Sequence, residues 1–387
     1  MRVAIIASLL SRKANYRQAG VSRYIEALLR YLPCVAPDLE IVGYTSRSVW
    51  RAVQGELPPA LQWRVTRWPT ERPVVRIVWE QTVGPWVTRD CALVHGPVNV
   101  VPLAGGRPTV VTVHDLAFLH FPTHYPASKR WYLQLMTGAS VRRARMVIAV
   151  SEATRRDVVQ AYGVTPERVV VVPNGIDPHW CRVPDEELAR WRDRNGVPER
   201  FILFVGTLQP RKNLVTLLEA YARLGPDFSW PLFVVGAPGW LESPIYRRVE
   251  ELGLTGRVRF VGYAPPEELR AWYSAATLFV YPSVYEGFGL PVLEAMACGV
   301  PVIAADRSAL PEVAGEAAVL ADPTDPQALA TAMRSLADDE ALRRALARAG
   351  QERARAFSWE RTARETAAVY RRLGAPRSAG RRGGAAE

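Results

Sequence analysis

Two glutamates eight positions apart, Glu286 and Glu294, enclose the run E-G-F-G-L-P-V-L-E. The apolar stretch Leu278–Tyr281 before it reads as a strand. Pro291 stands where a helix begins and Gly299 where it ends. Glycines at such a turn let backbone N–H groups come close to a ligand, and a helix N-terminus favours negative charge. Flanking carboxylates would repel a bare phosphate. They suit a ligand that brings hydroxyls as well as phosphate, such as a nucleotide sugar. An ordinary strand–loop–helix with two solvated glutamates fits the same residues.

A second stretch, G-T-L-Q-P-R-K-N from Gly206 to Asn213, sets Arg211 and Lys212 side by side between a strand and a helix that starts near Asn213. Arginine can fork two phosphate oxygens and lysine adds a point charge. Together they could neutralise a diphosphate leaving group as its charge develops. The chain has only three lysines, Lys13, Lys129 and Lys212, which weighs against a casual surface pair. A third candidate is His114, delivered with Asp115 to the end of the β-branched run Thr109–Val113. It could donate a hydrogen bond to a sugar hydroxyl. His95, at the next strand end, reads as structural.

These groups need a frame that brings strand ends to one edge. Short apolar runs at Val3, Ile41, Trp63, Leu93, Thr109, Met146 and Val169 alternate with helical patterns. The first helix carries Tyr24, Ile25, Leu28, Leu29 and Leu32 on one side and stops at Pro33. A helix over Pro73–Trp86 is expected to bury Val74, Val75, Val78 and Trp79, with Glu80 on its polar side. The alternation pauses among Pro178, Pro184 and Pro198, and restarts at Phe201. Strands are expected at Phe201, Leu232, Val258, Leu278 and Val300, and helices alone from Pro326 to about Leu373. Two successive βα series predict two doubly wound parallel sheets, with the ligand at the strands' carboxyl edges in the cleft between them. The loop Ser11–Gly20 holds one glycine and is not a G-x-G-x-x-G fingerprint.

At 387 residues two domains are expected. No run of about 18 uncharged apolar residues is present, and the apolar start from Met1 to Ala7 reads as a strand, not a secretory leader. Four scattered cysteines support neither a zinc site nor a disulfide framework and suit a reducing cytoplasm. Residues 1–180 hold 22 lysines and arginines against 12 acids, whereas residues 181–387 hold 27 against 26. The basic excess therefore lies in the first half, where it could meet an anionic membrane or a phosphorylated substrate. No nucleic-acid-binding motif accompanies it.

With V-H-D-L from Val113, V-S-E from Val150 and V-P-N-G-I-D from Val172, these motifs occur in an order that resembles family 4 (group 1) of the retaining glycosyltransferases, from Met1 to about Leu373. The resemblance implies an α/β, GT-B fold: two Rossmann-like domains, residues 1–178 on the acceptor side and 179–356 on the nucleotide-sugar side. A helix over 357–373 then packs back on the first domain, ahead of a disordered tail over 374–387. It assigns Arg211 and Lys212 to the donor diphosphate, Glu286 to the donor sugar and Glu294 to the ribose hydroxyls. Gly206 and Thr207 lie in the same donor loop. The backbone of Phe288, Gly289 and Leu290 would touch sugar and phosphates, and Gly262 and Tyr263 would line the base. His114 falls near the reacting centre, and Gly20 near the β-phosphate and acceptor. The segment R-x-x-W-E-Q from Arg76 is similar to mannosyl- and rhamnosyltransferase branches.

The function implied is metal-independent, retaining hexosyl transfer, with GDP-mannose or a UDP-hexose as donor and no cofactor. The acceptor would be a glycan or lipid-linked molecule of cell-surface polysaccharide or glycolipid synthesis. The expected location is cytoplasmic, with the inner membrane face as a possible station and no nucleic-acid partner. A sugar-nucleotide 2-epimerase or phosphorylase of the same fold, and a non-catalytic basic scaffold, remain alternatives.

Overall fold

The computed structural model describes residues 1–11, 20–239 and 242–374. The basic loop over 12–19 and the tail over 375–387 lie outside the described residues. Seven short strands form the first sheet: β1 (Arg2–Ile6), β2 (Glu40–Ser46), β3 (Gln62–Thr66), β4 (Leu93–Gly96), β5 (Thr109–Val113), β6 (Met146–Ala149) and β7 (Val169–Val171). Their order is β3-β2-β1-β4-β5-β6-β7, with parallel pairing. The second sheet runs β8 (Ile202–Val205), β9 (Leu232–Val235), β10 (Val258–Gly262), β11 (Leu278–Tyr281), β12 (Val302–Ala305) and β13 (Val319–Ala321). Its order is β10-β9-β8-β11-β12-β13, also parallel. Central strands such as TVVTV, ILFV and LFVY are buried along their whole length, as a sheet covered on both faces requires. Strand order reverses between β1 and β4 in one sheet and between β8 and β11 in the other. Open α/β sheets bind ligands at such switch points. The loops after β8 and β11 carry Arg211-Lys212 and Glu286, so one switch point receives both motifs.

The helix Gly20–Val35 buries Tyr24, Ile25, Leu28, Leu29 and Leu32. Pro33 does not stop it. The proline sits in the last turn, where few backbone bonds remain to be lost, and the helix runs on to Val35. Against it lies the final helix, Trp359–Gly374, whose Trp359, Ala363, Ala367 and Tyr370 join the first sheet's core. The chain reaches this helix by crossing beside its own linker. The Ile176 amide donates to the Phe357 carbonyl at 3.3 Å. A Cβ on Gly175 would stand 2.1 Å from the Trp359 nitrogen, so only glycine fits there.

Residues 73–87 depart from expectation. They form two helices, Pro73–Thr82 and Gly84–Val87, and the first is rotated: Trp79 is buried as expected, but Val74 and Val78 are 73% and 42% exposed and Glu80 is buried. Trp79 fills the layer under Ala4, Ile6 and Tyr44, and burying that large ring outweighs the valines. The strand Val319–Ala321 is an addition to the expected set: its three residues end an unbroken apolar run and give no alternation.

Burial tunes two ionisable groups in this domain. His95 lies between the Tyr370 hydroxyl, 2.6 Å away, and Thr112 Oγ1, 2.8 Å away, and burial pushes its pKa down to about 3. This bears out the structural reading of His95. Burial pushes the Glu80 carboxyl up to about 7 against the pull of Arg76. The two act in opposite senses. A neutral His95 supports the fold fully above pH 6.5, and that support drains away toward pH 3. A protonated Glu80 supports it fully below pH 4.5, and that support is lost as the pH rises to about 7. Urea midpoints measured from pH 4 to 8 should show this. Relative to wild type, Glu80→Gln gains stability as the pH rises through that window. His95→Gln gains relative stability as the pH falls below 6.5, at up to about 1.4 kcal/mol per pH unit. A pH-independent offset in either variant would contradict the assignment.

Candidate functional site

Between the sheets lies a cavity of about 580 Å³. Its wall includes Gly20, His114, Gly206, Thr207, Arg211, Lys212, Tyr263, Glu286, Phe288, Gly289, Leu290 and Glu294. Of the residues singled out from the sequence, Gly262 alone is off the wall. Its carbonyl instead accepts from the Gly236 amide at 2.7 Å, which shapes the loop from behind.

Local structure explains how the cations enter. After β8, Pro210–Lys212 forms one 3-10 turn, and Asn213 follows in the left-handed region at φ 59°. The Asn213 amide group ties this bend to the carbonyls of Pro282 and Pro323 at 3.1 and 2.6 Å. The helix proper runs Leu214–Ala222, with Asn213 at its N-cap position and no side-chain capping bond, and Lys212 turns inward, 8% exposed.

The three charges meet in one cluster. Arg211 Nη1 lies 2.8 Å from Glu286 Oε2, and Lys212 Nζ lies 2.6 Å from Glu286 Oε1. The hydroxyls of Ser283 and Tyr281 donate to the same Oε1 at 2.6 and 3.0 Å. Burial by itself would raise the Glu286 carboxyl, but Arg211 and Lys212 overcome it and hold it well below the usual carboxylate range. Burial, aided by Arg211, draws the Lys212 ammonium down to about 8 against the pull of Glu286. The Glu286 carboxylate is thus held by two cations, Arg211 and Lys212, and Asp115 on the same wall adds to the pull on both.

Glu294 stands on the helix Leu290–Ala297 and is buried. Burial raises its carboxyl, while Arg23 and Tyr273 pull the other way. Tyr273 donates to its Oε2 at 3.2 Å, and Arg23 from the first domain pairs with its Oε1 across the cleft. Arg23 also lies 5.4 Å over the Trp180 ring. Gly289 enters the helix at φ 120°, a backbone position that favours glycine. The domains touch here: a Cβ on Gly287 would sit 1.7 Å from the His114 carbonyl oxygen.

His114 reaches the cavity with one nitrogen already engaged. Its Nε2 is 2.8 Å from the Pro97 carbonyl. A carbonyl only accepts, so that nitrogen carries the proton. Burial lowers the ring's pKa and keeps it neutral, which leaves Nδ1 as an acceptor. The expectation that His114 donates to a sugar hydroxyl is therefore corrected: the neutral ring can only accept from one. Arg23, Tyr273, Tyr281 and Ser283 are the polar groups that sequence reasoning missed. Tyr281 and Ser283 border the glutamate loop, and their hydroxyls were the available signal. Arg23 had only its place just after Gly20.

Two parallel sheets facing each other over this polar cleft, with the last helix returned to the first, define the GT-B architecture. Solved structures with the same shape include sucrose-phosphate synthase from Thermosynechococcus elongatus (24% identity, TM-score 0.76, covering 97% of this chain and 99% of that one). Another is WaaG, a glycosyltransferase involved in lipopolysaccharide biosynthesis (19% identity, TM-score 0.70, covering 95% and 99%). The family model "Glycosyltransferase Family 4" matches residues 19–180, and "Glycosyl transferases group 1" matches 185–353. The O-antigen chain mannosyltransferase B of Escherichia coli is 35% identical over 294 residues, 74% of this chain and 77% of that relative. The D-inositol 3-phosphate glycosyltransferase of a Nocardioides species is 38% identical over 293 residues, 70% of this chain and 62% of that relative. The chain belongs to the group 1, family 4 glycosyltransferases.

Proposed function

We propose that this glycosyltransferase is a retaining, metal-independent hexosyltransferase, with mannose from GDP-mannose as the first candidate transfer and UDP-hexose as the second. The acceptor would be a glycan or lipid-linked molecule of cell-surface polysaccharide or glycolipid synthesis, met at the cytoplasmic face of a membrane. The observation that carries this reading is the convergence of Arg211, Lys212 and Glu286 at one switch point. Mannose is favoured by the Escherichia coli relative's name. The neighbour HepE, 20% identical at a TM-score of 0.74, is described in complex with UDP-glucose.

In this reading the donor diphosphate lies against Arg211 and Lys212, beside the Gly206-Thr207 loop, with Gly20 closing over it. Glu286 takes the sugar hydroxyls, and the backbone at Phe288, Gly289 and Leu290 forms the floor. Glu294 takes the ribose hydroxyls, which requires Arg23 to yield its place. Tyr263 lines the base. As the anomeric C–O bond breaks, its electron pair passes to the diphosphate, where two cations receive the charge. The acceptor oxygen bonds the anomeric carbon on the same face, and its proton passes to the departing phosphate. No cofactor takes part.

A thermal-shift panel of nucleotide sugars tests the donor. A donor present at 100 times its Kd should stabilise the protein by about 2.7 kcal/mol. Stabilisation by GDP-mannose, followed by sugar transfer to an acceptor, is the expected result. Release of a free epimer without acceptor would give the cleft to an epimerase instead, and no response to any nucleotide sugar would overturn the reading.

A further inference from the structure

The donor cavity has a side chamber of about 320 Å³, and Arg23 and Glu294 stand on the wall of both. The two oxygens of the Glu294 carboxylate are held differently. Oε2 accepts from Tyr273, in the same domain, at 3.2 Å. Oε1 is held by Arg23, which arrives from the first domain. The two partners of that pair also differ in what they lose on parting. The Glu294 side chain is 5% exposed and cannot turn to solvent, whereas the Arg23 side chain is 36% exposed and can be rehydrated. Over the Trp180 ring the guanidinium is held by its face, with no directional bond to break. The side chamber carries three acids: Glu26, which holds Arg30 at 2.9 Å, and Asp177 and Glu267, with His179 beside them. Glu294 thus needs a partner at Oε1 at all times, while Arg23 has a second place to go.

We infer that Arg23 competes with the nucleotide ribose for Glu294 and so speeds release of the spent nucleoside diphosphate. The inference rests on the reading that Glu294 takes the ribose hydroxyls. Arg23 stands where the ribose must come, and either one satisfies Oε1. When the donor arrives, its hydroxyls displace the guanidinium, which moves across Trp180 toward the acids of the side chamber. After transfer the sugar is gone from Glu286, and the nucleotide holds on by diphosphate and ribose alone. Arg23 then regains Oε1 and the remaining grip loosens. The competition costs donor and product the same affinity. It matters more for the product, because a retained nucleotide blocks the next donor.

The test is titration calorimetry of the full chain with GDP (or UDP, if the nucleotide-sugar panel selects it) and with inorganic pyrophosphate. Four proteins are compared: wild type, Arg23→Ala, Glu294→Ala and the double variant. Arg23→Ala should bind GDP about fivefold more tightly than wild type, and stopped-flow displacement should place that change in the release rate. Pyrophosphate can meet Arg211 and Lys212 without reaching Glu294. Its affinity should stay within about twofold of wild type at physiological salt, which also shows the variants folded. Without Glu294 the gain should vanish, so that the double variant binds GDP no more tightly than Glu294→Ala. Unchanged or weaker GDP binding by Arg23→Ala, an equal gain for pyrophosphate, or a gain that survives without Glu294 would overturn the inference. The ribose reading is checked separately. In the Arg23→Ala background, Glu294→Ala should weaken GDP and spare pyrophosphate. GDP binding untouched by that change would take the ribose away from Glu294 and this inference with it. A loss there, without a gain in Arg23→Ala alone, would overturn the competition and leave the ribose contact standing.

Discussion

Replacing Arg211 and Lys212 together by alanine is expected to reduce sugar transfer by a factor of about 10³ or more. The two groups pair with Glu286 directly, and among the described residues no other cation does. The substitution also changes Glu286. Left without counter-charges in a buried site, its carboxylate would cost roughly 3 kcal/mol or take up a proton. Loss of activity alone would therefore not separate chemistry from folding. The informative comparison adds Glu286→Gln to the double variant, which removes the stranded charge. The triple variant should recover thermal stability toward wild type and remain inactive, with nucleoside-diphosphate affinity still lost. Transfer at more than about a tenth of the wild-type rate in the well-folded triple variant would refute a role for these cations in the leaving-group step.

The site was legible where polar residues interrupt apolar strands. Gly206-Thr207 and Glu286 each follow a buried β-run, and in a parallel sheet such positions can only be strand ends. Those two loops meet because β8 and β11 are neighbours, a pairing that follows once the second βα series is recognised. Contacts made by domain packing were not legible. Arg23 and Glu294 are separated by 271 positions, and no local pattern links the start of one helix to the interior of another. His114 was placed correctly at a strand end, yet its hydrogen-bonding role was inverted. The Pro97 carbonyl that fixes its proton comes from a different loop. Glu80 shows a third kind of miss. Counting apolar residues put Val74, Val75 and Val78 on the inner face with Trp79, whereas the indole of Trp79 went inward without Val74 and Val78 and took Glu80 with it.

Glu286→Gln is expected to separate affinity for the nucleotide from turnover. Glutamine preserves shape and can keep the acceptor facing Lys212, Ser283 and Tyr281. Its amide group, however, places a donor where Arg211 needs an acceptor. The cluster also loses the one carboxylate in contact with both cations, with Asp115 left on the same wall, so an incoming diphosphate meets one more positive charge than before. At pH 6 the variant should bind nucleoside diphosphate more tightly than wild type and transfer sugar on the order of 10²-fold more slowly. The gain should not survive alkali. Lys212 already loses its proton near pH 8 with Glu286 beside it. Without that carboxylate, burial and Arg211 push the ammonium lower still, and a buried amine that has lost its charge no longer holds phosphate. The variant's affinity should therefore weaken as the pH rises from 6 to 9, starting at a lower pH than in wild type, and the two binding curves should cross. Titration calorimetry across that range with GDP and with GDP-mannose reads both effects. If Glu286 holds the sugar, the added affinity of GDP-mannose over GDP shrinks in the variant. Parallel pH curves with that difference intact would place Glu286 outside the donor contacts and leave it as a structural counter-ion to Arg211 and Lys212.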